Sequence, residues 1–420
     1  MNNSDALHSY STVLSLAGVR RLVVSAILGR TANQMSSLAL ILFSLRIYHS
    51  ALLAGAVVLV QLVAVPVGPL AGALVDRLGS SIMIAIDFVV TGAIAAVIAA
   101  LAWAHLLPAG SFVLLVLLGT ITWPFSASGI RALLPQIVPP HLWDRANALD
   151  SVTQIVATIA GPLLAGTLFG WLGAVPAMLG VAVLYLGSAV FVLGLRGTPQ
   201  HVESAPVFGQ ALSGLRYFFK NPQLRGLAVA MVPANVSFGV LVVAIPVLTL
   251  RTLHQAPGLV GWIWAVIGVS SLVSALLLGR VGTKGRERTV LIWSMGLPAP
   301  GLALAAAFPS LGTTFFAAAL VGVAAGPADV ALFSLRQRSV HPSWYGRAIA
   351  VSMTLNSSGG AIGGGLGGVL SQASPPDALF AAGVFALIGA AGAAMIPRQR
   401  SRTTAPVLAT DGAVSAGREL

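Results

Sequence analysis

Arg30 stands inside an apolar run, LVVSAILGRTANQMSSLALILFSL, with Asn33 and Gln34 three and four residues further on. On a helix these three side chains share one face. A guanidinium and two amides in such surroundings either line a cavity or close a buried ion pair, because a lone charge in a bilayer core is costly. Arg30 is nine residues beyond Arg21, roughly 14 Å of helix. That is too deep for its side chain to reach back to an interface. Two carboxylates occupy comparable positions. Asp329 follows Gly326-Pro327 and precedes Arg336 by seven residues, roughly 10 Å of helix. Asp87 lies about five residues inside another apolar run. Burial disfavours a charged carboxylate and a neighbouring arginine favours it, so a carboxylate whose partner changes between conformations can take up and release a proton. Asp150 lies near the start of a later run and reads as a helix-end residue.

Further side chains could complete a ligand site. Asn235 sits about ten residues past Arg225, at a depth like that of Arg30. Trp123 and Ser126 flank Pro124, and with Phe238 they would give an apolar, partly aromatic lining with a few polar anchors, as small-molecule sites have. Catalysis finds no such support. The chain has seven histidines, none in a spaced pair for a metal, and no cysteine. No Gly-rich phosphate loop with its Lys-Ser/Thr is present, so the chain is expected to carry no cofactor and no metal and to hydrolyse no ATP.

Only long hydrophobic elements can position these residues. The chain is 57% hydrophobic and 8% charged over 420 residues, whereas a soluble domain carries about 25% charge. Twelve stretches are long enough to cross a bilayer, roughly residues 22–46, 52–75, 82–104, 110–130, 148–170, 174–195, 226–250, 258–279, 289–308, 311–335, 348–370 and 378–396. They are numbered here as spans 1 to 12. If the N-terminus is inside, 20 of the 23 basic residues fall in cytoplasmic segments; Arg46 and Arg251 fall outside and Arg30 within span 1. That asymmetry is the positive-inside rule. It accounts for the net charge of +12 without nucleic acid. The expected organisation is a cytoplasmic segment 1–21, a six-helix bundle 22–196, a linker 197–224, a second six-helix bundle 225–397 and a disordered cytoplasmic tail 398–420. The linker carries an amphipathic patch, Leu212, Leu215, Phe218 and Phe219, suited to a membrane surface. No signal-peptide cleavage site precedes span 1, so the first span is read as retained.

The two halves repeat. At an offset of 202, Pro140, Arg145, Gly161 and Gly166 match Pro342, Arg347, Gly363 and Gly368. At 203, Arg77, Gly79 and Pro124 match Arg280, Gly282 and Pro327. A bilobal protein with its site between the lobes follows.

The loop after span 2 reads Gly72-Ala73-Leu74-Val75-Asp76-Arg77-Leu78-Gly79. It resembles the Gly-x-Leu-x-Asp-Arg-x-Gly signature of the major facilitator superfamily, although Ser80 and Ser81 stand where basic residues usually follow. Arg131-Ala-Leu-Leu-Pro135, Val138-Pro139, Ala146-Asn147-Ala148 and Ser151 look like the corresponding loop of the branch containing macrolide and siderophore exporters. Gly161-Pro162-Leu-Leu-Ala165-Gly166 is similar to the superfamily's antiporter motif, with one glycine replaced and the upstream glycines missing. The resemblance implies an all-α membrane protein, twelve transmembrane helices in two pseudo-symmetric six-helix bundles, moving a small molecule by alternating access. It implies that Gly72, Asp76, Arg77, Gly79 and Arg131 form a cytoplasmic gate, with Gly279 in place of the aspartate in the second half. There Asp76 would pair with Arg131 or face a helix N-terminus of the other lobe. Gly161, Pro162 and Gly166 of span 5, with Gly363 and Gly367 of span 11, would form a close helix interface on which the lobes slide. Spans 1, 4, 7 and 10 line the cavity in this superfamily, which makes Asp329 the first candidate for proton coupling, facing Arg30 across the lobes, and Asp87 the second. The implied function is proton-coupled export of an amphipathic or drug-like compound by a monomer in the cell (inner) membrane, both termini cytoplasmic. Its partners would be the substrate, protons and the lipid bilayer. A nutrient importer of the same fold and a non-transporting receptor or scaffold are the rival readings.

Overall fold

The computed structural model describes residues 10–64, 67, 71, 74–75, 77–195, 207–340 and 344–397. Gly72 and Asp76 of the expected gate, linker residues 197–206 and the tail from 398 lie outside them. Long helices account for nearly all of it: Ala17–Ile47 (span 1), Ala51–Leu59 with a tighter turn Val60–Ala64 (start of span 2), Ser80–Trp103 (3), Ala109–Ile137 (4), Trp143–Leu172 (5) and Ala174–Leu193 (6). Pro222–Val247 (7), Pro257–Val281 (8), the pair Glu287–Gly296 and Pro298–Ala307 (9), Leu311–Ser339 (10), Tyr345–Ala373 (11) and Pro375–Ala394 (12) follow. Among the described residues nine of these are long and apolar enough to cross a bilayer. Spans 1, 2 and 11 complete the twelve. Span 1 is less apolar because it carries the Arg30–Gln34 stripe, and span 11 because it carries seven consecutive-turn glycines from Gly359 to Gly368.

Local chemistry sets the ends. Ser50 accepts a bond from the Leu53 N–H at 3.0 Å, and Asn221 accepts from Gln223 and Leu224. Ser310 and Thr313 satisfy each other's backbone donors at the start of span 10. These caps supply partners for N–H groups that a helix leaves unpaired. Span 9 breaks at Leu297-Pro298, where proline removes a backbone donor. Gly79 and Gly282 both have positive φ, 94° and 76°. Both are repeat-related turn residues between an even span and the next, and glycine adopts that conformation at least cost.

Packing repeats with the sequence. Span 1 lies against spans 5 and 6, and span 7 against spans 11 and 12. Span 3 lies against spans 4 and 6, and span 9 against spans 10 and 12. One lobe buries a core including Met35, Phe43, Phe112 and Met178; the other buries Val240, Leu248, Ile263 and Leu302. The lobes meet through span 5 on span 8 and span 2 on span 11, contacts that the repeat exchanges.

The linker helix, Val207–Lys220, packs part of its apolar face on the second lobe. Phe218 is fully buried with Leu224 and Val340, and Tyr217 stacks on Trp344 with ring centroids 4.9 Å apart and planes 1° from parallel. The helix is docked on the second lobe through Tyr217 and Phe218, against residues of spans 7, 10 and 11. Leu215 and Phe219 stay exposed.

Candidate functional site

Arg30 finds its partner inside its own lobe. Its guanidinium lies 2.8 Å from an Asp150 carboxylate oxygen, donates to the Asp150 carbonyl at 2.7 Å, and also donates to the Thr153 hydroxyl. One turn on, Gln34 donates to Thr158 at 3.2 Å. The stripe on span 1 is thus stitched to span 5. Both charges keep some access, 17% for Arg30 and 30% for Asp150. This corrects two expectations. Asp329 does not pair with Arg30, and Asp150 is not a helix-end residue. Span 5 begins at Trp143, so Asp150 sits two turns inside it, level with Arg30.

Asp87 is 2% exposed. Its Oδ1 accepts from Thr122 of span 4 at 2.7 Å and from Thr91 of its own span at 3.2 Å. Ser126 of span 4 lies near the same carboxylate, its hydroxyl donating to the Trp123 carbonyl at 3.2 Å. Tyr185 of span 6 faces the same carboxylate, lies beside Asn33 of span 1 and packs its ring on Phe88, centroids 5.9 Å apart. Asn33 and Ser126, expected in a substrate cavity, lie beside this polar cluster of spans 1, 3, 4 and 6. Trp123, next to Thr122, is 45% exposed.

In the second lobe Asp329 is exposed, on the face that Gly322 and Gly326 present to span 8. Arg336, two turns on, is fully buried and donates to Ser352 of span 11 at 2.5 Å. The sequence placed Arg336 in a cytoplasmic loop, but span 10 runs on to Ser339 and carries it into the protein. Ser352 is the repeat mate of Asp150, so each lobe sets a guanidinium against the same position of span 5 or span 11. The Asn235 amide turns back to the Met231 carbonyl at 2.8 Å. Phe238 is exposed and packs edge-on against Trp264 of span 8, centroids 5.6 Å apart.

The glycines divide by face. A Cβ on Gly161 would stand 2.4 Å from Gln34, and Cβ atoms on Gly363 and Gly367 would press on the backbone of span 7. Those three seat helices within a lobe. The crossing between lobes uses Gly166 on Gly261, Pro162 on Gly261, and Gly364 and Gly368 on Val58 and Gly55. Arg251 donates to the His49 carbonyl and Gln372 accepts from the Ala51 N–H at 2.9 Å, also between lobes. All of these lie away from the membrane face where span 1 begins and span 12 ends; that face is called the terminal side and its opposite the distal side. On the terminal side Arg338 pairs with buried Glu287, and Arg77 is exposed. Arg131 lies within span 4, its side chain outside the described residues. Thr122, Thr153, Tyr185 and Ser352 were not singled out from sequence. Thr153 and Ser352 carried one signal, their closeness to the repeated Arg145 and Arg347 loops.

The membrane-spanning helices and the two repeated lobes agree with the comparisons. The family model described as Major Facilitator Superfamily matches residues 22–251 and 227–416. An uncharacterized MFS-type transporter of Sinorhizobium fredii, y4rN, is 34% identical over 93% of this chain and 97% of its own. The multidrug efflux pump Tap of Mycobacterium tuberculosis is 24% identical over 74% of this chain and 77% of its own. In fold, the chain is similar to a bacterial homologue of the human lysosomal transporter Spinster, with a TM-score of 0.71 at 15% identity over 92% of this chain and 97% of that one. This chain, a multi-pass membrane transporter, belongs to the Major Facilitator Superfamily.

Proposed function

We propose that the protein exports small amphipathic or drug-like compounds in exchange for protons, by alternating access. The observation that carries this reading is the stripe Arg30–Asp150–Gln34, polar, partly accessible and deep in the membrane, in a protein whose lobes cross on glycines at the distal side. Small residues at such a crossing let helices approach closely and part without unlocking large side chains. The exposed rings of Trp123 and Phe238 offer apolar surface to a substrate, with Arg30 and Gln34 as polar anchors. Asp329 and Asp87 are the carboxylates available for proton coupling. Export is favoured by the likeness to a relative named a multidrug efflux pump. The protein works as a monomer in the cell (inner) membrane with both termini in the cytoplasm, where its basic residues gather.

Inside-out membrane vesicles test the direction. Energised vesicles containing the protein should take up a cationic dye that control vesicles leave outside, and Arg30→Ala should abolish uptake. Uptake confined to right-side-out vesicles would make the protein an importer.

A further inference from the structure

Resting on the reading that transport is coupled to protons, we infer that Asp87 is a proton-binding site set apart from the central stripe, and that Thr122 transmits its charge state to span 4. The site is a buried carboxylate ringed by hydroxyls. Thr91 donates to it from span 3 and Thr122 from span 4, with Ser126 of span 4 nearby. From span 6 the facing titratable group is Tyr185, and from span 1 the facing polar group is Asn33. The nearest cation along span 1, Arg30, is committed to Asp150. Among these partners none is cationic.

That composition fits a group that changes charge. A guanidinium or ammonium can only donate, so it would hold Asp87 permanently ionised. A hydroxyl donates to a carboxylate and accepts from a carboxylic acid. The ring of hydroxyls therefore satisfies both forms without moving a helix. A charge at this depth without a countercharge is costly, and uptake of one proton removes it.

The transmission follows from counting protons. The Thr122 hydroxyl has one, and three acceptors within reach: Asp87 Oδ1 at 2.7 Å, the Gly119 carbonyl at 3.1 Å and, farthest, the Thr91 hydroxyl at 3.4 Å. With Asp87 ionised, the proton points to the carboxylate. Once a proton binds Asp87, the new O–H donates to Thr122 Oγ1, and the threonine proton turns to Gly119, the nearer of the two acceptors left. In an α-helix the Gly119 carbonyl also takes the N–H of Trp123. The next residue, Pro124, has no N–H, so the helix lacks one ladder bond here. Protonation thus adds a second donor to the carbonyl that holds Trp123, at a turn that already lacks one ladder bond and carries an exposed tryptophan.

Infrared difference spectra of the protein in liposomes, between about pH 5 and about pH 9, test this directly. A carboxylic-acid C=O band should titrate in wild type, vanish in Asp87→Asn and persist in Asp329→Asn. In Thr122→Val, which keeps the shape and removes the hydroxyl, the band should move to higher frequency as it loses a hydrogen bond. The Trp123 contribution to fluorescence, taken as the difference from Trp123→Phe, should follow the same titration and lose it in Asp87→Asn. A band indifferent to Asp87→Asn, or an Asp87 band constant with pH, would overturn the proposal. So would a band that answers sodium at fixed pH, which would make this a sodium site. If Asp87→Asn does not fold, an unmoved band in Thr122→Val overturns it instead. Compound-driven proton flux is read on the same liposomes: a titrating Asp87 band without flux supports the proton site and overturns coupled export.

Discussion

Adding one methyl group at Gly55 should open the distal side. The Cβ of Gly55→Ala would stand 2.7 Å from the Gly368 Cα and 2.8 Å from the Gly364 carbonyl oxygen. Carbon atoms rest about 3.5–4.0 Å apart, so spans 2 and 11 must separate by about 1 Å. Both obstacles are backbone, and neither can swing aside as a side-chain tip would. Overpacking of this kind costs about 1–3 kcal/mol. The cost falls on the conformation in which the two helices touch and is absent when they part. The ratio of distal-closed to distal-open molecules should therefore fall by about 5- to 150-fold. The chain has no cysteine, so spin labels at His105→Cys and Ser310→Cys, exposed on opposite lobes at the distal end, report the separation without background. Gly55→Ala should add a population at longer distance. Gly360→Ala, whose Cβ would meet nothing within 4 Å, should not. An unchanged distance distribution in a folded Gly55→Ala protein would refute the reasoning that this crossing seals the distal side.

Other outcomes follow from particular contacts. Asp150→Asn leaves Arg30 with a carbonyl and a hydroxyl but no countercharge; with Asp150 about a third exposed, the loss should be about 1–3 kcal/mol, visible as a lower unfolding temperature in detergent. Arg30→Lys cannot reproduce the forked contact to Asp150 and Thr153, and dye transport should fall more than stability does. Trp344→Ala removes a stacking partner worth about 0.5–1.5 kcal/mol and should raise protease cleavage within the linker helix while leaving the spans intact.

The helix count, the repeat and the polar stripe on span 1 were legible because each is carried by local pattern: apolar length, matched loop residues and helical spacing. The partner of Arg30 was not. Asp150 lies 120 residues away, and its depth depends on where span 5 begins. The polar residues Asp144, Arg145 and Asn147 look like a loop, yet they form the first turns of that helix. The glycines misled for a related reason. Gly363 and Gly364 are neighbours in sequence, but one turns to span 7 and the other to span 2. Adjacent helical positions differ by about 100°, and glycine has no side chain to betray which face is which. Asp87 offered one clue, Thr91 four residues on; Thr122 and Tyr185 come from other spans and carried no mark in sequence.

The central claim is that substrate export is exchanged for protons. The most direct measurement is internal pH in proteoliposomes of the purified protein while cationic dyes and macrolides are offered in turn. The account predicts that at least one compound drives proton movement through wild type and that Asp87→Asn abolishes it while still binding the compound. Transport of a compound with no accompanying proton movement would contradict it.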